Sequence, residues 1–169
     1  MPDAAVTDSG PVIHLAEVDS LDALQVFVTV TASYHVQAEL RRHDAWEAVA
    51  EALGSRLRVA DISAESLATA RGAYQRLALS DADLSVAVLA ADARPSVVLT
   101  DDLALRSGLV AHGFTAVGSV GVLVRALKTG MFARSRFDHA IDRLLDDSTL
   151  YLSRAFRDVV RRLVAELPG

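Results

Sequence analysis

Acidic side chains follow two stretches that are predicted to form buried β-strands. Asp8 comes directly after Ala4–Thr7, and Asp101 and Asp102 come directly after Ser96–Thr100. In a parallel α/β sheet, ligand sites form beyond the carboxyl ends of the strands. We therefore predict that these acids lie at one edge of a sheet and meet in a single crevice.

Further acids belong to helices near the same edge. Asp81 and Asp83 begin a helix that leads into the second of these strands, and Glu39 lies on the first long helix. Residues two apart do not share a helix face, so Asp83, whose own face continues with small residues, is the better candidate of its pair. Asp101 and Asp102 are adjacent, and both reach one site only from a strand-to-helix turn.

Converging carboxylates repel one another unless a cation neutralises them. Mg²⁺ and Mn²⁺ prefer oxygen ligands, and such ions activate water and stabilise the oxygens of an in-line displacement at phosphorus. The chain has no cysteine, which excludes zinc–thiolate sites and thiol nucleophiles, and its five histidines do not pair at metal-ligand spacing. The acids therefore point to metal-assisted phosphodiester hydrolysis.

A structural explanation stays open for each acid. Glu39 has the character of a solvated helix charge, and the other acids stand where helix caps are common. The candidate caps are Asp8, with Pro11 near the first helical position, Ser80 with Asp83 as a capping box, and Thr100 or Asp101 before the helix that follows the second strand.

Composition indicates one domain, residues 1–169, in which 132–169 form a C-terminal helical extension. Hydrophobic residues make up 51% of the chain and aromatic residues only 5%, so the core must consist mainly of Val, Leu and Ala. We expect a cytoplasmic protein with no membrane association, because no apolar run reaches the roughly 18 residues of a membrane span and the N-terminus lacks a signal-peptide pattern.

Charge is unevenly distributed along the chain. The formal net charge is −5, which argues against simple electrostatic attraction to nucleic acid. Residues 123–169 contain nine Lys or Arg and six Asp or Glu, whereas the remainder contains eight and 16. An acidic site beside a basic tail suits a metal-dependent nuclease, and two solvated helix faces explain the same pattern.

Short β-like runs alternate with longer helical ones, which predicts an α/β fold around a mainly parallel sheet. The predicted strands are Ala4–Thr7, Val26–Val30, Leu57–Ala60, Ser96–Thr100 and Phe114–Val117. The predicted helices are Ser33–Leu53, Ser63–Leu77, Asp81–Ala91, Asp102–His112, Val120–Lys128, Arg136–Leu145 and Ser148–Leu167.

Four segments in this order resemble the motifs of the PIN-domain family. They are VTDSGPVIHLAEVDSLDAL, YHVQAEL, LSDADLSVAVLAAD and SVVLTDDLALRSGLVAHGF, and GSVGVLVRALKTG is similar to a helix of one prokaryotic PIN subfamily. The chain departs from the family pattern at Gly10, where Ser, Thr or Asn is commoner, and at Asp81-Ala82-Asp83, where Glu-x-Glu is usual.

The resemblance implies a three-layer α/β/α sandwich, Mg²⁺ or Mn²⁺ as cofactor, and cleavage of single-stranded RNA. It further implies a homodimer and the role of a toxin inhibited by an antitoxin protein. The implied metal ligands are Asp8, Glu39, Asp83 and Asp102, with Asp81 and Asp101 beside them and Ser9 and Thr100 in supporting roles. Arg106, one helical turn from Asp102, is the best candidate for binding RNA phosphates.

Two other functions are compatible with the sequence. A catalytically silent PIN-like module would bind RNA or a protein without hydrolysis, which the shorter Asp side chains and the negative net charge favour. A receiver-type signalling domain also combines carboxylates, Mg²⁺ and a parallel sheet. That architecture needs its acidic pair after the first strand and a lysine after a late one, whereas Lys128 is the chain's only lysine.

Overall fold

The computed structural model describes residues 3–167, so the predicted domain bounds at residues 1 and 169 lie outside the described residues. The strands are β1 (Ala4–Thr7), β2 (Thr29–Ser33), β3 (Leu57–Ala60), β4 (Val97–Leu99) and β5 (Ala116–Val117). The helices are α1 (Ser9–Glu17), α2 (Tyr34–Arg42), α3 (Trp46–Leu53), α4 (Ala64–Ala73), α5 (Asp81–Ala93), α6 (Leu103–Ala111), α7 (Ser119–Lys128), α8 (Arg134–Asp146) and α9 (Arg154–Ala165).

The five strands form one parallel sheet in the order β3-β2-β1-β4-β5. The chain extends the sheet from β1 to β3 in one direction, then returns and adds β4 on the other side of β1. In register, Ala5 pairs with Val30 of β2 and with Val97 of β4. The strand order therefore reverses between β1 and β4, which is the position where open α/β sheets bind ligands.

Helices flank the sheet and give the three-layer α/β/α architecture expected from the sequence. The helix α5 packs on β1 and β2 with α4 and α6 beside it, while α1 contacts α2, α3, α7 and α8. Every residue of β4 is buried, as are Ala5, Val6 and Thr7 of β1, because covered parallel strands are apolar on both faces. Phe27, Phe132 and Phe137 are the bulkiest fully buried side chains in a core of otherwise mostly aliphatic residues.

The strand predicted over Val26–Val30 begins three residues later in the structure. Residues Leu21–Val26 form a 3₁₀ helix, and β2 runs instead over Thr29–Ser33. Phe27 is completely buried beside this helix, and the pairing of β2 with both β1 and β3 fixes where the strand begins. The burial of Phe27 and the pairing of β2 with β1 and β3 therefore decide the strand's position, against the local β propensity of residues 26–28.

The single helix predicted over Ser33–Leu53 is in fact two, α2 and α3. Asp44 takes a left-handed conformation with φ of 54°, and the Ala45 N–H donates back to the Leu40 carbonyl across 2.9 Å. Aspartate tolerates this conformation better than most residues, so the turn ends α2 without a glycine. Val36, Leu40, Val49 and Leu53 are all buried, as their common stripe predicted.

The C-terminal helix also begins later than predicted. Ser153 accepts a hydrogen bond from the Phe156 N–H at 3.2 Å and starts α9 at Arg154, whereas Ser148 lies in a turn that closes on the end of α8. Among the helices within residues 3–167, none combines the length and apolar character that crossing a bilayer requires.

Gly108 of α6 allows a close approach of the segment that joins α4 to α5. A Cβ at this position would lie 2.8 Å from Leu77 Cδ1 and 2.9 Å from the ring of Tyr74. We expect Gly108→Ala to lower the free energy of unfolding by about 1–3 kcal/mol through overpacking. Urea unfolding monitored by circular dichroism measures this change.

Gly72→Ala is the matched control. Gly72 is exposed in the last turn of α4, with nothing within 4 Å of an added Cβ. The substitution should therefore raise stability, by up to about 1 kcal/mol, through helix propensity alone. Equal effects of the two substitutions would contradict the packing assigned to Gly108.

Candidate active site

Asp8 lies at the carboxyl end of the central strand β1, where the strand order reverses. It caps α1, accepting a 2.7 Å hydrogen bond from the Ser9 N–H at Oδ1, and Thr100 Oγ1 donates to Oδ2 across 3.1 Å. The side chain is only 5% exposed. The end of β4 therefore supplies one hydrogen bond to the carboxylate that ends β1.

Burial, together with the negative charges of Asp83 and Glu39, raises the pKa of Asp8 to about 7 against the opposing hydrogen bonds from Ser9 and Thr100. An isolated carboxylate in such a position favours its protonated form. Glu39 and Asp83, both distant from Asp8 in sequence, are therefore close enough to act on its carboxyl group electrostatically.

Glu39 faces the same region from α2. Its Oε2 accepts a 2.7 Å hydrogen bond from Ser9 Oγ, and Arg42 of the next turn lies 3.8 Å from Oε1. Ser9 therefore bridges Asp8 and Glu39, because its N–H binds the first and its hydroxyl the second. The solvated helix charge considered for Glu39 is wrong in this respect: the side chain is partly buried and hydrogen-bonded.

Asp83 enters from the first turn of α5, where it forms the predicted capping box with Ser80. Asp83 Oδ2 accepts hydrogen bonds from Ser80 N and Oγ at 2.7 and 2.8 Å, and Ser80 Oγ accepts from the Asp83 N–H at 3.1 Å. Asp81 is exposed and pairs with Arg71 of α4. Asp81 and Asp83 thus point in different directions, as expected for residues two apart on a helix.

Two buried serines fix the relative position of the helices that carry these acids. Ser33, the cap of α2, and Ser85 of α5 lie 2.6 Å apart through their hydroxyl oxygens, and both side chains are completely buried. Ser33 also accepts a hydrogen bond from the Val36 N–H, and Ser85 donates to the Ala82 carbonyl at 2.6 Å. This contact couples the start of α2 to the start of α5.

Asp102, rather than Thr100 or Asp101, caps α6. Its Oδ1 accepts from the Leu105 N–H at 2.7 Å, and its own N–H donates to Thr100 Oγ1 at 3.1 Å. Within residues 3–167, Asp102 Oδ2 has no hydrogen-bond partner, and the residue is exposed. Thr100 Oγ1 therefore connects the two acids: it donates to the Asp8 carboxylate and accepts from the backbone N–H of Asp102.

Asp101 is bound in a separate network. His14 Nδ1 of α1 lies 2.8 Å from Asp101 Oδ2, and Ser119 at the start of α7 donates its N–H to Oδ1 at 2.8 Å and its hydroxyl to Oδ2. Burial works to raise the pKa of Asp101, but the hydrogen bonds from His14 and Ser119 keep it below its usual value. Both carboxylate oxygens of Asp101 are therefore occupied by hydrogen bonds within the protein.

Arg106, expected to bind RNA, has backbone partners. Its guanidinium donates to the Thr100 carbonyl at 2.8 Å and to the Ala116 carbonyl at 3.1 Å, tying the end of β4 to β5. A Cβ on Gly118 would lie 2.5 Å from Asp101 Oδ1 and 2.9 Å from Arg106 Nη2, so this close packing requires glycine. In this conformation Arg106 stabilises the turn that carries the acids.

The acids form a loose cluster. Within the part of the chain that the structure describes, no three His, Asp or Glu side chains lie close enough to hold a metal ion without rearrangement. Asp8, Glu39 and Asp83 nevertheless act on one another electrostatically, and Asp102 is joined to Asp8 through Thr100. A divalent cation would offset the burial and the like charges that together raise the pKa of Asp8.

A family model described as a PIN domain matches residues 4–166. The chain belongs to the PIN-domain family. The resemblance inferred from four short motifs is therefore confirmed, and PIN domains are generally nucleases. No curated protein matches this PIN domain significantly.

Sequence reasoning missed several residues that shape the site of this PIN domain. His14 has no partner at metal-ligand spacing in the sequence, and no motif marks Ser33, Ser85 or Ser119. Ser33 and Ser85 are 52 positions apart, and Asp101 is 87 positions from His14 and 18 from Ser119, so no local pattern reveals these pairs. The one available signal was Gly10, a departure from the family motif that lies beside Asp8, Asp101 and His14.

Asp8→Asn should stabilise the fold at neutral and alkaline pH in metal-free buffer. Because the folded pKa of about 7 lies above the ordinary value of 3.8, the folded state binds the proton more tightly. The wild type should therefore lose stability as pH rises from 4 to 7, and Asn removes this loss. We expect a gain of about 1–3 kcal/mol at pH 8 and a smaller one, or none, near pH 4.

The measurement is urea unfolding in EDTA at pH 4.5 and pH 8. Asp142→Asn, on an exposed position of α8, serves as the control for loss of one negative charge. If Asp8→Asn changed stability equally at both pH values, the burial of an ionised Asp8 would not be the cause.

Proposed function

We propose that this PIN domain is an endoribonuclease that uses Mg²⁺ or Mn²⁺ to hydrolyse phosphodiester bonds of single-stranded RNA. The position of Asp8 carries the proposal. A nearly buried carboxylate at the reversal point of a parallel sheet, under the influence of two further acids, is costly for stability. Such a cost is typical of groups kept for chemistry.

Four carboxylates have oxygens suited to a hard cation. We assign Asp8, Glu39 and Asp83 as the principal ligands and Asp102 as a fourth. Ser9 and Thr100 connect Asp8 to Glu39 and Asp102, and the charge of Asp83 acts on Asp8. Asp81 and Asp101 are less suitable, since the first pairs with Arg71 and the second binds His14 and Ser119 through both oxygens. A bound Mg²⁺ or Mn²⁺ would supply an activated water and charge stabilisation at the phosphorus oxygens.

The protein's own side chains orient the acids for this task. Ser9 holds Asp8 and Glu39 through its N–H and hydroxyl, and Thr100 fixes the other oxygen of Asp8. Asp102 is exposed and Asp83 is half-buried, so both carboxylates are accessible to a cation. The exposed Arg154 and Arg162 of α9 add positive charge that would attract the RNA backbone.

A role as a toxin controlled by a protein partner belongs to the same proposal. An apolar groove begins beside Leu103, next to Asp102, and continues between α7 and α9. Leu103 is 79% exposed and Leu163 59% exposed, and such contiguous apolar surface is typical of protein interfaces. This groove supports either an antitoxin or a second copy of the chain as an occupant.

Replacing the proposed ligands should abolish RNA cleavage. We expect Asp8→Asn, Glu39→Gln and Asp83→Asn each to lower kcat at least about 100-fold, a loss of about 3 kcal/mol of transition-state stabilisation. The assay is cleavage of a fluorophore-labelled single-stranded RNA with Mn²⁺, Mg²⁺ or EDTA. Asp142→Asn, far along α8, should retain wild-type activity.

The outcomes separate the proposed enzyme from the silent alternative. Activity that requires metal and all three carboxylates supports hydrolysis at this site. Binding of RNA without cleavage, unchanged by metal and by Asp8→Asn, would identify a PIN-like binding module instead.

Metal should also stabilise the folded protein. A cation that binds only the folded state adds about 2.7 kcal/mol when its concentration is 100-fold above Kd. We therefore expect Mn²⁺ to raise the Tm of the wild type at pH 7.5 and to have a much smaller effect on Asp8→Asn. Differential scanning fluorimetry with Mn²⁺, and with Ca²⁺ for comparison, measures both. An equal Tm shift in wild type and Asp8→Asn would argue against Asp8 as a ligand.

A further inference from the structure

His14 lies beside the acidic cluster but has no part in the function proposed above. It is one turn into α1 from Asp8 and Ser9, and its side chain is 14% exposed. Its Nδ1 atom lies 2.8 Å from Oδ2 of Asp101, whose side chain is 10% exposed. A partly buried ring with one nitrogen bound to a carboxylate has a fixed orientation.

The partner of Nδ1 determines the chemistry of the other ring nitrogen. Asp101 also accepts two hydrogen bonds from Ser119, one at each oxygen, so both carboxylate oxygens act as acceptors. The proton must therefore reside on His14 Nδ1. In the neutral imidazole, Nε2 is then a hydrogen-bond acceptor.

Nε2 of His14 is also open to a ligand. Within residues 3–167 it makes no hydrogen bond, and no buried side-chain nitrogen or oxygen of those residues is left without a partner. Nε2 must consequently be reached by solvent. In the neutral ring, an oriented acceptor is therefore available to a bound molecule beside Asp101.

Gly10 keeps the space between His14 and Asp8 open. A Cβ added to Gly10 would lie 3.7 Å from His14 Cε1, 3.7 Å from Asp101 Cβ and 3.9 Å from Asp8 Oδ2. These are ordinary contact distances, so a methyl group would fit there without a clash. The imidazole edge and the Asp8 carboxylate therefore border one methyl-sized space.

The type of hydrogen bond at Nε2 limits what it recognises. Phosphate and sugar-ring oxygens are acceptors and cannot donate to another acceptor. Along the sugar–phosphate backbone, only the ribose 2′-hydroxyl is a donor, and DNA lacks it. An acceptor placed beside a site that acts on phosphodiesters thus matches the ribose next to the scissile phosphate.

We propose that His14, oriented by Asp101, accepts a hydrogen bond from a ribose 2′-hydroxyl and gives this PIN domain its preference for RNA over DNA. The inference rests on the proposed function, since it takes the acidic cluster as the place where the nucleic acid lies. His14 is a specificity-determining residue, and Asp101 positions it.

His14→Asn tests this contact. An Asn side chain reaches Asp101 in the manner of Nδ1 but has no group at the position of Nε2. Affinities are measured by fluorescence anisotropy with a single-stranded RNA and a DNA of matching sequence, in EDTA so that neither is cleaved. We expect the substitution to weaken RNA binding about 3- to 10-fold, as for loss of one hydrogen bond, and to leave DNA binding unchanged.

Two further variants keep the test independent of folding. Gly10→Ala, which fills the space without a clash, should reduce the RNA preference in the same direction. His139→Asn, on an exposed position of α8, should leave both affinities unchanged. Equal loss of RNA and DNA affinity in His14→Asn, or no loss of either, would overturn the proposal.

Nuclear magnetic resonance of the wild type provides a direct readout. The ¹⁵N shift of His14 Nε2 should be that of an unprotonated nitrogen, and it should move on addition of RNA but not of DNA. A protonated Nε2 at pH 8 overturns the inference, as does failure of the chain to bind either polymer. His14-dependent RNA preference without cleavage would reject only hydrolysis, whereas cleavage with an unaltered preference in His14→Asn would reject only the role of His14.

Discussion

The carboxylate of Asp8 is almost fully buried between β1 and β4, and the surrounding structure is arranged to hold it there. Ser9 and Thr100 supply hydrogen bonds, yet burial and the charges of Glu39 and Asp83 still raise its pKa to about 7. An acid placed for stability alone would be exposed at its helix end and free of like charges. The fold instead brings further acids toward it, which favours a cationic ligand.

The remaining polar residues divide into those that face this region and those that build its wall. Asp101 and Arg106 hold the β4–α6 turn against α1 and α7 through His14, Ser119 and backbone carbonyls. A pair of adjacent aspartates therefore serves two purposes, because a strand-to-helix turn sends neighbouring side chains in different directions. The contact with Asp101 also fixes the orientation of the His14 ring.

Helix capping and site chemistry coincide in this protein. Asp8 caps α1, Asp83 completes a capping box on α5, and Asp102 caps α6. The two explanations considered for these acids are compatible because helices that follow or face parallel strands begin at the same edge of the sheet. A carboxylate at such a position can satisfy backbone N–H groups with one oxygen and present the other to the crevice.

The order of motifs and the alternation of strand-like and helix-like runs were enough to predict the parallel α/β sandwich and the PIN family. They also singled out Asp8 together with Glu39 and Asp83, whose charges act on it. The sequence alone could not reveal the break at Asp44, the register of β2 or the partners of Asp101, Arg106 and His14. Periodicity and capping are local, so they can be read from neighbouring residues. Which hydrogen bonds a side chain makes across 87 or 92 positions depends on how α1, β1 and β4 pack together, and only the tertiary structure decides it.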